Sequence, residues 1–273
     1  MKSSETARPA LPDLSFPGQR TELFSTLRPL FLSLEALLYL IIAGFSLRYV
    51  SDRSLGHLPE ALSFLRYASI LFCFSYAMTA DASEKAMAAA PAKSAAGVPA
   101  ESTAGAPDQN RKLPLVQALF FTVCADYFLV FSNRYLPGIL FFLLVQNMYR
   151  RFLRAPFPFW FCCGSAAMGL LLLFSRLYRF PFDSVSAFSA FYAGCLLANL
   201  AFSLKKGPGW FSLSLTLLLF CDFHVALGHL SDYLASPFPG WLAGWVGATP
   251  FLIWGFYLPA QVILAAHADA QLR

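Results

Sequence analysis

The chain has 273 residues, 58% of them apolar and only 13% charged, with 29 Phe and a formal net charge of +5. A water-soluble domain carries about 25% charged and 45–50% apolar residues, so this chain has too little polar surface to cover a water-facing globule. Its basic residues lie in short polar connections, with no basic patch and interleaved aromatics; this excludes a nucleic-acid partner and ties the charge to membrane topology.

The apolar residues come in long runs, not in alternation, and a run of roughly 20 residues is enough to cross a bilayer as a helix. Residues 1–28 form a polar, Pro-containing tail, too polar for the core of a signal peptide, so the first helix is expected to serve as an uncleaved insertion signal. Eight spans are then predicted: Pro29–Val50, Leu62–Ala80, Leu113–Phe131, Leu136–Leu153, Phe157–Leu177, Ser184–Leu204, Trp210–Leu230 and Ala248–Ala266. Arg66, near the start of the second span, is expected to snorkel to the interface. Residues 81–112 between spans two and three are rich in Ala, Pro, Ser and Gly, and 88–110 read as a flexible solvent loop that cannot bury enough surface to order itself. The other connections are short, and residues 267–273 form a C-terminal tail. The fold class is therefore all-α: a polytopic transmembrane helical bundle of about eight helices in one domain, residues 29–266, and a multi-pass protein of the cell membrane if the source is bacterial.

Lys and Arg set the orientation. With the N-terminus cytoplasmic, 14 of the 20 basic residues fall on that side, among them Arg111, Lys112, Arg150, Arg151, Arg154, Lys205 and Lys206. Only Arg48, Arg53, Arg134, Arg176 and Arg179 fall on the other. Both termini are expected in the cytoplasm.

Cys73, Cys124, Cys162, Cys163, Cys195 and Cys221 all fall in apolar runs, with no CxxC and no Cys/His cluster at zinc spacing. Neither a disulfide, a metal site nor a cofactor is expected. Carboxylates at membrane depth are expensive. Glu35 lies about a turn from the cytoplasmic end of span one, where it can reach the interface. Asp126 and Asp222 sit well inside spans three and seven. Asp126 is 14 residues beyond Lys112 and Asp222 is 16 beyond Lys206, which puts both roughly 21–24 Å from the cytoplasmic edge. Two acids in one dry site cannot easily both ionise, which suits one to act as acid and the other as base. Gln146 and Tyr149 in span four, and Tyr257 and Gln261 in span eight, each present one helical face as candidate substrate contacts. Asn147 and Asn199 read as interhelical hydrogen-bonding residues. His224 is expected to point away from Asp222, and His229 to lie at the interface. Trp160, Trp210, Trp241, Trp245 and Trp254 fit an aromatic belt. An Asp, then a Gln and a Tyr, in spans three and four is echoed 96 residues later in spans seven and eight, which suggests an internal duplication.

From Leu113 to Ala266 these positions resemble the lysoplasmalogenase (YhhN-like) family of eight-span membrane proteins. The corresponding stretches are Ala125-Asp126, then Gly138…Phe142…Gln146-Asn-Met-Tyr149, Phe220-Cys221-Asp222, and Tyr257-Leu-Pro-Ala260-Gln261. Ala125, Gln146 and Cys221 stand where the family has Gly, His and Ser, and Arg66 is the basic residue nearest the place of the family's second-span Lys-Pro. The resemblance implies hydrolysis of the vinyl ether bond of a lysoplasmalogen, a single-chain lysophospholipid. The catalytic pair would be Asp126 and Asp222, with Gln146, Tyr149, Tyr257 and Gln261 positioning substrate or water. Intramembrane acids also mark proton paths, so a proton-coupled transporter is the alternative function. A non-catalytic lysolipid-binding protein of the same fold is a third.

Overall fold

A computed structural model describes residues 17–51, 58–89, 113–132, 134–179, 181–233 and 240–268. Every described element is helical. They are α1 (Pro17–Ser51), α2 (Leu58–Ala89), α3 (Leu113–Asp126), α4 (Tyr135–Leu153), α5 (Phe157–Tyr178), α6 (Ser184–Lys206), α7 (Gly209–Tyr233) and α8 (Gly240–Ala268), with a π-helical turn, Tyr127–Phe131, directly after α3. Two ends differ from the sequence expectation. Helix α1 begins at Pro17, inside the stretch read as a polar tail, and α2 continues to Ala89, into the stretch read as a loop. The rest of that loop, 90–112, and the C-terminal residues 269–273 lie outside the described residues.

Helices dominate because an apolar surround offers the backbone no alternative partner for its N–H and C=O groups. Their ends are marked by local chemistry. Arg154 closes α4 and Arg179 closes α5, both in the left-handed conformation at φ 54°. Asp183 opens α6 with a reciprocal capping box: its carboxylate accepts from the Ser186 backbone N–H, and the Ser186 side chain accepts from the Asp183 backbone N–H. Gly207 and Pro208 end α6.

Among the described residues, seven helices are long and apolar enough to cross a membrane: α1, α2, α3 with its π turn, α5, α6, α7 and α8. The eighth expected crossing, α4, is 19 residues long but carries Gln146, Asn147, Arg150 and Arg151 in its second half. The bundle's outer face is apolar in the manner of a lipid-facing surface; on α5, Leu170, Leu173, Phe174 and Leu177 are all more than half exposed. A water-soluble monomer would hide such a face. The chain is thus a multi-pass helical membrane protein by length and composition.

Helix packing positions the site. α3 packs on α4, α4 on α6, α6 on α7, α7 on α8, and α8 back on α3, which closes a ring of five helices. α1 and α2 pack on each other and against α8, α2 also touches α3, and α5 lies along α6 outside the ring. Without a hydrophobic drive between helices in lipid, close approach relies on small residues. At Gly194 of α6, a Cβ would overlap the Cys163 carbonyl and the Gly164 Cα of α5. At Gly138 of α4, a Cβ would lie 2.6 Å from Leu129 in the π turn. That second position also meets the Ala125 carbonyl, so α4 is seated against residues on either side of Asp126.

Candidate functional site

Asp126 is the last α-helical residue before the π turn. Single π turns inside helices are commonly found at functional positions, because they shift side chains out of the regular 3.6-residue register. The Asp126 carboxyl is 4% exposed and faces the ring. Tyr257 of α8 donates from its hydroxyl to Asp126 Oδ2 at 2.7 Å, across 131 residues of sequence. Asp222 of α7 is held in the same way: Tyr192 of α6 donates to its Oδ2 at 2.8 Å. Each acid is therefore anchored through one oxygen by a tyrosine from a neighbouring helix. Among the described residues Oδ1 of each makes no hydrogen bond. Asp222 is partly exposed, whereas Asp126 is buried.

One aromatic core links the two anchors. Phe142 of α4 packs on Tyr192 with centroids 5.9 Å apart and stands edge-on to Tyr257 at 6.5 Å. Cys221 lies within electrostatic reach of both carboxylates, and Tyr149 within reach of Asp222, Tyr192 and Tyr257. Residues from α3, α4, α6, α7 and α8 thus converge inside the ring.

Beyond the acids lies a set of fully buried polar atoms without partners. Thr122 Oγ1, Gln146 Nε2, Tyr149 Oη and Gln261 Oε1 have no hydrogen bond among the described residues. All four side chains are at most 1% exposed. Thr122 is one turn before Asp126 on α3, and Gln261 is one turn beyond Tyr257 on α8. The Asp126–Tyr257 contact fixes the register of those two helices, so Thr122 and Gln261 share a level. An unpaired buried polar atom costs about 1–3 kcal/mol, and several on converging helices suit a polar ligand atom or a held water. Asn199 holds part of this wall in place: its Nδ2 donates to the Gln146 backbone oxygen and to Gln146 Oε1, both at 2.9 Å.

The six residues singled out from the sequence fall into this arrangement as follows. Asp126 and Tyr257 are in direct contact. Asp222 and Tyr149 are electrostatic neighbours. Gln146 is tied to Asn199, and Gln261 is buried one turn from Tyr257. The sequence reading missed Tyr192 and Thr122. Both carried a periodic signal: Tyr192 is seven residues before Asn199, on the same helical face, and Thr122 is four before Asp126.

One expectation is corrected, and other side chains are placed. Glu35 does not reach the interface; it is 2% exposed and accepts from Ser69 Oγ at 2.6 Å, with Cys73 Sγ 3.7 Å from its other oxygen. The Arg66 Nη2 donates to Ser46 Oγ at 3.0 Å and its guanidinium lies 4.9 Å from the Trp254 ring centre. Trp160 is buried against α6, Trp254 sits between Arg66 and Tyr257, and Trp245 is exposed as a belt residue would be. His224 is buried, with Nδ1 2.7 Å from the Phe220 carbonyl and its ring stacked on Phe256. The Trp241 side chain lies outside the described residues. Compared with known proteins, the chain matches no family model, no curated protein and no solved structure.

Proposed function

We propose that this chain is a membrane hydrolase of the lysoplasmalogenase type, which cleaves the vinyl ether of a single-chain lysophospholipid by acid–base chemistry at Asp126 and Asp222. The observation that carries the proposal is the pair of carboxyls, each anchored at Oδ2 by a tyrosine and each leaving Oδ1 unbonded among the described residues, on helices of one ring. The resemblance in residue order from Leu113 to Ala266 supports the same reading. The proposal includes eight crossings, α4 being the eighth, with both termini cytoplasmic as the distribution of Lys and Arg favours.

The reaction needs three steps. One carboxyl, in its acid form, gives its proton to the alkene carbon that does not bear the ether oxygen and leaves an oxocarbenium ion. The other, as carboxylate, stabilises that cation and removes a proton from water as the water adds to the carbon that carries the ether oxygen. The resulting hemiacetal collapses to a fatty aldehyde and the glycerophospho alcohol, so the net change is the addition of one water. A carboxyl fixed through one oxygen keeps the other aimed, which is the positioning such proton transfers require. Gln146, Tyr149, Thr122 and Gln261 supply unpaired donors and acceptors for the attacking water and the glycerol hydroxyl. The partly exposed Asp222 gives a lipid tail lateral access, and the aromatic link Tyr192–Phe142–Tyr257 gives it an apolar wall.

Purified protein mixed with a 1-alkenyl lysophosphoethanolamine is expected to release aldehyde, and Asp126→Asn or Asp222→Asn to abolish the release. Undiminished turnover in either variant overturns the two-acid mechanism.

A proton-coupled carrier is the second reading. It is favoured by one feature: the π turn directly follows Asp126 on α3 and Pro259 lies two residues beyond Tyr257 on α8, so each helix of the Asp126–Tyr257 pair is irregular close to the contact. Paired irregular helices mark substrate sites in carriers. Solute uptake into proteoliposomes driven by a pH gradient, without aldehyde release, would select it.

A further inference from the structure

We infer that Arg66 of α2 is the phosphate-binding residue of a lysophospholipid site, holding the phosphodiester of the head group one helical turn from the acids. The inference rests on the hydrolase reading for its substrate class and adds the means by which that substrate is recognised.

Arg66 lies inside a membrane-crossing segment, where an arginine remains charged and an unpaired charge is expensive. Among the described residues no carboxylate pairs with it. One guanidinium nitrogen, Nη2, is used by Ser46, the ring of Trp254 lies under the guanidinium, and Nε is buried with no partner. The side chain is thus held in place from two sides while N–H donors remain free. A fixed guanidinium fork with spare donors fits a phosphate better than any neutral ligand.

The surroundings say which phosphate. Ser46 and Trp254 also line a shallow groove between α1 and α8, continued by Tyr39, Ile42, Phe251 and Gly255. Apart from its polar edge at Ser46 and Tyr39, whose hydroxyl donates to the Gly255 carbonyl at 3.3 Å, the groove is apolar. Arg66 does not line the groove itself but touches two residues that do, Ser46 and Trp254; a cation beside an apolar groove is complementary to an amphiphile with an anionic head, not to a free ion. The spacing to the chemistry also fits. Trp254 packs edge-on to Tyr257 with centroids 5.4 Å apart, and Tyr257 holds Asp126. Three residues along α8 separate the two rings, a rise of about 4.5 Å, which the three-carbon glycerol of a lysolipid can bridge. The residue after Arg66, Tyr67, is already within electrostatic reach of Asp126. A phosphate on Arg66 therefore leaves the first glycerol carbon, which bears the ether, at the level of Tyr257 and the Asp126 it anchors.

The test compares two ligands differing only in phosphate: a 1-alkenyl lysophosphoethanolamine and the matching 1-alkenyl glycerol. Binding to the full chain in a neutral maltoside detergent is read by native mass spectrometry, and turnover by aldehyde release. Wild type is expected to bind the phosphate-bearing lipid about 10-fold more tightly than the glycerol ether. Arg66→Gln should erase that preference while leaving glycerol-ether binding within twofold. In turnover it should raise KM and spare kcat. Arg66→Lys should keep the preference in part, and Arg48→Gln, an exposed arginine near the end of α1, should keep it whole. Equal wild-type binding of the two ligands overturns the inference whether or not any variant folds, as does a preference unchanged in Arg66→Gln. Tight, phosphate-dependent binding without turnover would remove the hydrolase reading and leave the site standing. Turnover with the same KM for both ligands would do the reverse.

Discussion

Replacing Tyr257 by Phe removes one oxygen and leaves the ring in place, so it isolates the hydroxyl that anchors Asp126. That bond is 2.7 Å long and buried, and it is the one hydrogen bond the carboxyl makes among the described residues. Its loss strands a polar group that is 4% exposed, at a cost of about 1–3 kcal/mol, and more if the carboxyl is charged when the bond breaks. The same removal at Tyr192 strands the partly exposed Asp222, which solvent or lipid head groups can partly compensate. Tyr257→Phe should therefore destabilise the protein more than Tyr192→Phe, by about 1 kcal/mol. If the anchor positions a proton donor, aldehyde release should also fall by roughly 10–100-fold, since 1.4 kcal/mol corresponds to a factor of ten. Asp126→Asn gives the complementary result. Its amide oxygen still accepts from Tyr257, so stability should change little while activity is lost. Thermal unfolding in detergent and aldehyde release, measured on the three variants, separate the two effects. A Tyr257→Phe protein as stable and as active as wild type would refute the reasoning, because the buried bond would then matter to neither fold nor chemistry.

Three further outcomes follow from the same geometry. Asn199→Leu removes the donor that holds Gln146 by two 2.9 Å bonds; it should cost about 1–3 kcal/mol and weaken substrate binding, seen as a higher KM in the aldehyde assay. Gly138→Ala places a Cβ 2.6 Å from Leu129 and should destabilise by about 1–3 kcal/mol through overpacking, a change readable as a lowered Tm. Asp183→Ala removes the cap of α6 and should cost about 1 kcal/mol. The Ser186 backbone N–H, with the Ser186 side chain, holds the Asp183 carboxyl below its ordinary range. Its contribution is therefore complete above the unfolded carboxylate pKa and lost as pH falls through the lower folded value, so wild type and Asp183→Ala should converge in stability in acid.

Much of this architecture was legible in the sequence because apolar run length is a strong signal. Seven runs with few charges emerged as seven helices long enough to cross a membrane. α4 falls outside that set because Gln146, Asn147, Arg150 and Arg151 crowd its second half, and one of them, Gln146, supplies part of the polar wall. Asp126 and Asp222 stood out because a carboxylate inside an apolar run is rare. What the sequence could not carry was pairing. Hydropathy assigns a residue to a span but does not say which helices adjoin, so the Tyr257–Asp126 and Tyr192–Asp222 contacts, 131 and 30 residues apart, needed the ring to be closed. The same gap explains the misplacement of Glu35. Position along a span suggested reach to the interface, whereas the α1–α2 packing turned its carboxyl inward.

Glu35 bears on whether two acids are enough. Among the described residues it is the one buried carboxyl besides Asp126, yet its partners are Ser69 and Cys73 on α2, and α1 is not part of the ring that carries Asp126 and Asp222. A side chain that ties two peripheral helices needs an acceptor, not an ionisable group. Glu35→Gln preserves an acceptor for the Ser69 hydroxyl and should leave both stability and aldehyde release close to wild type. Glu35→Ala strands Ser69, which is 0% exposed, and should cost about 1–3 kcal/mol with activity per folded molecule unchanged. If instead Glu35→Gln folded normally and lost turnover, the proton chemistry would extend to a third carboxyl outside the ring. The mechanism built on Asp126 and Asp222 alone would then be wrong, because no step of it passes through α1.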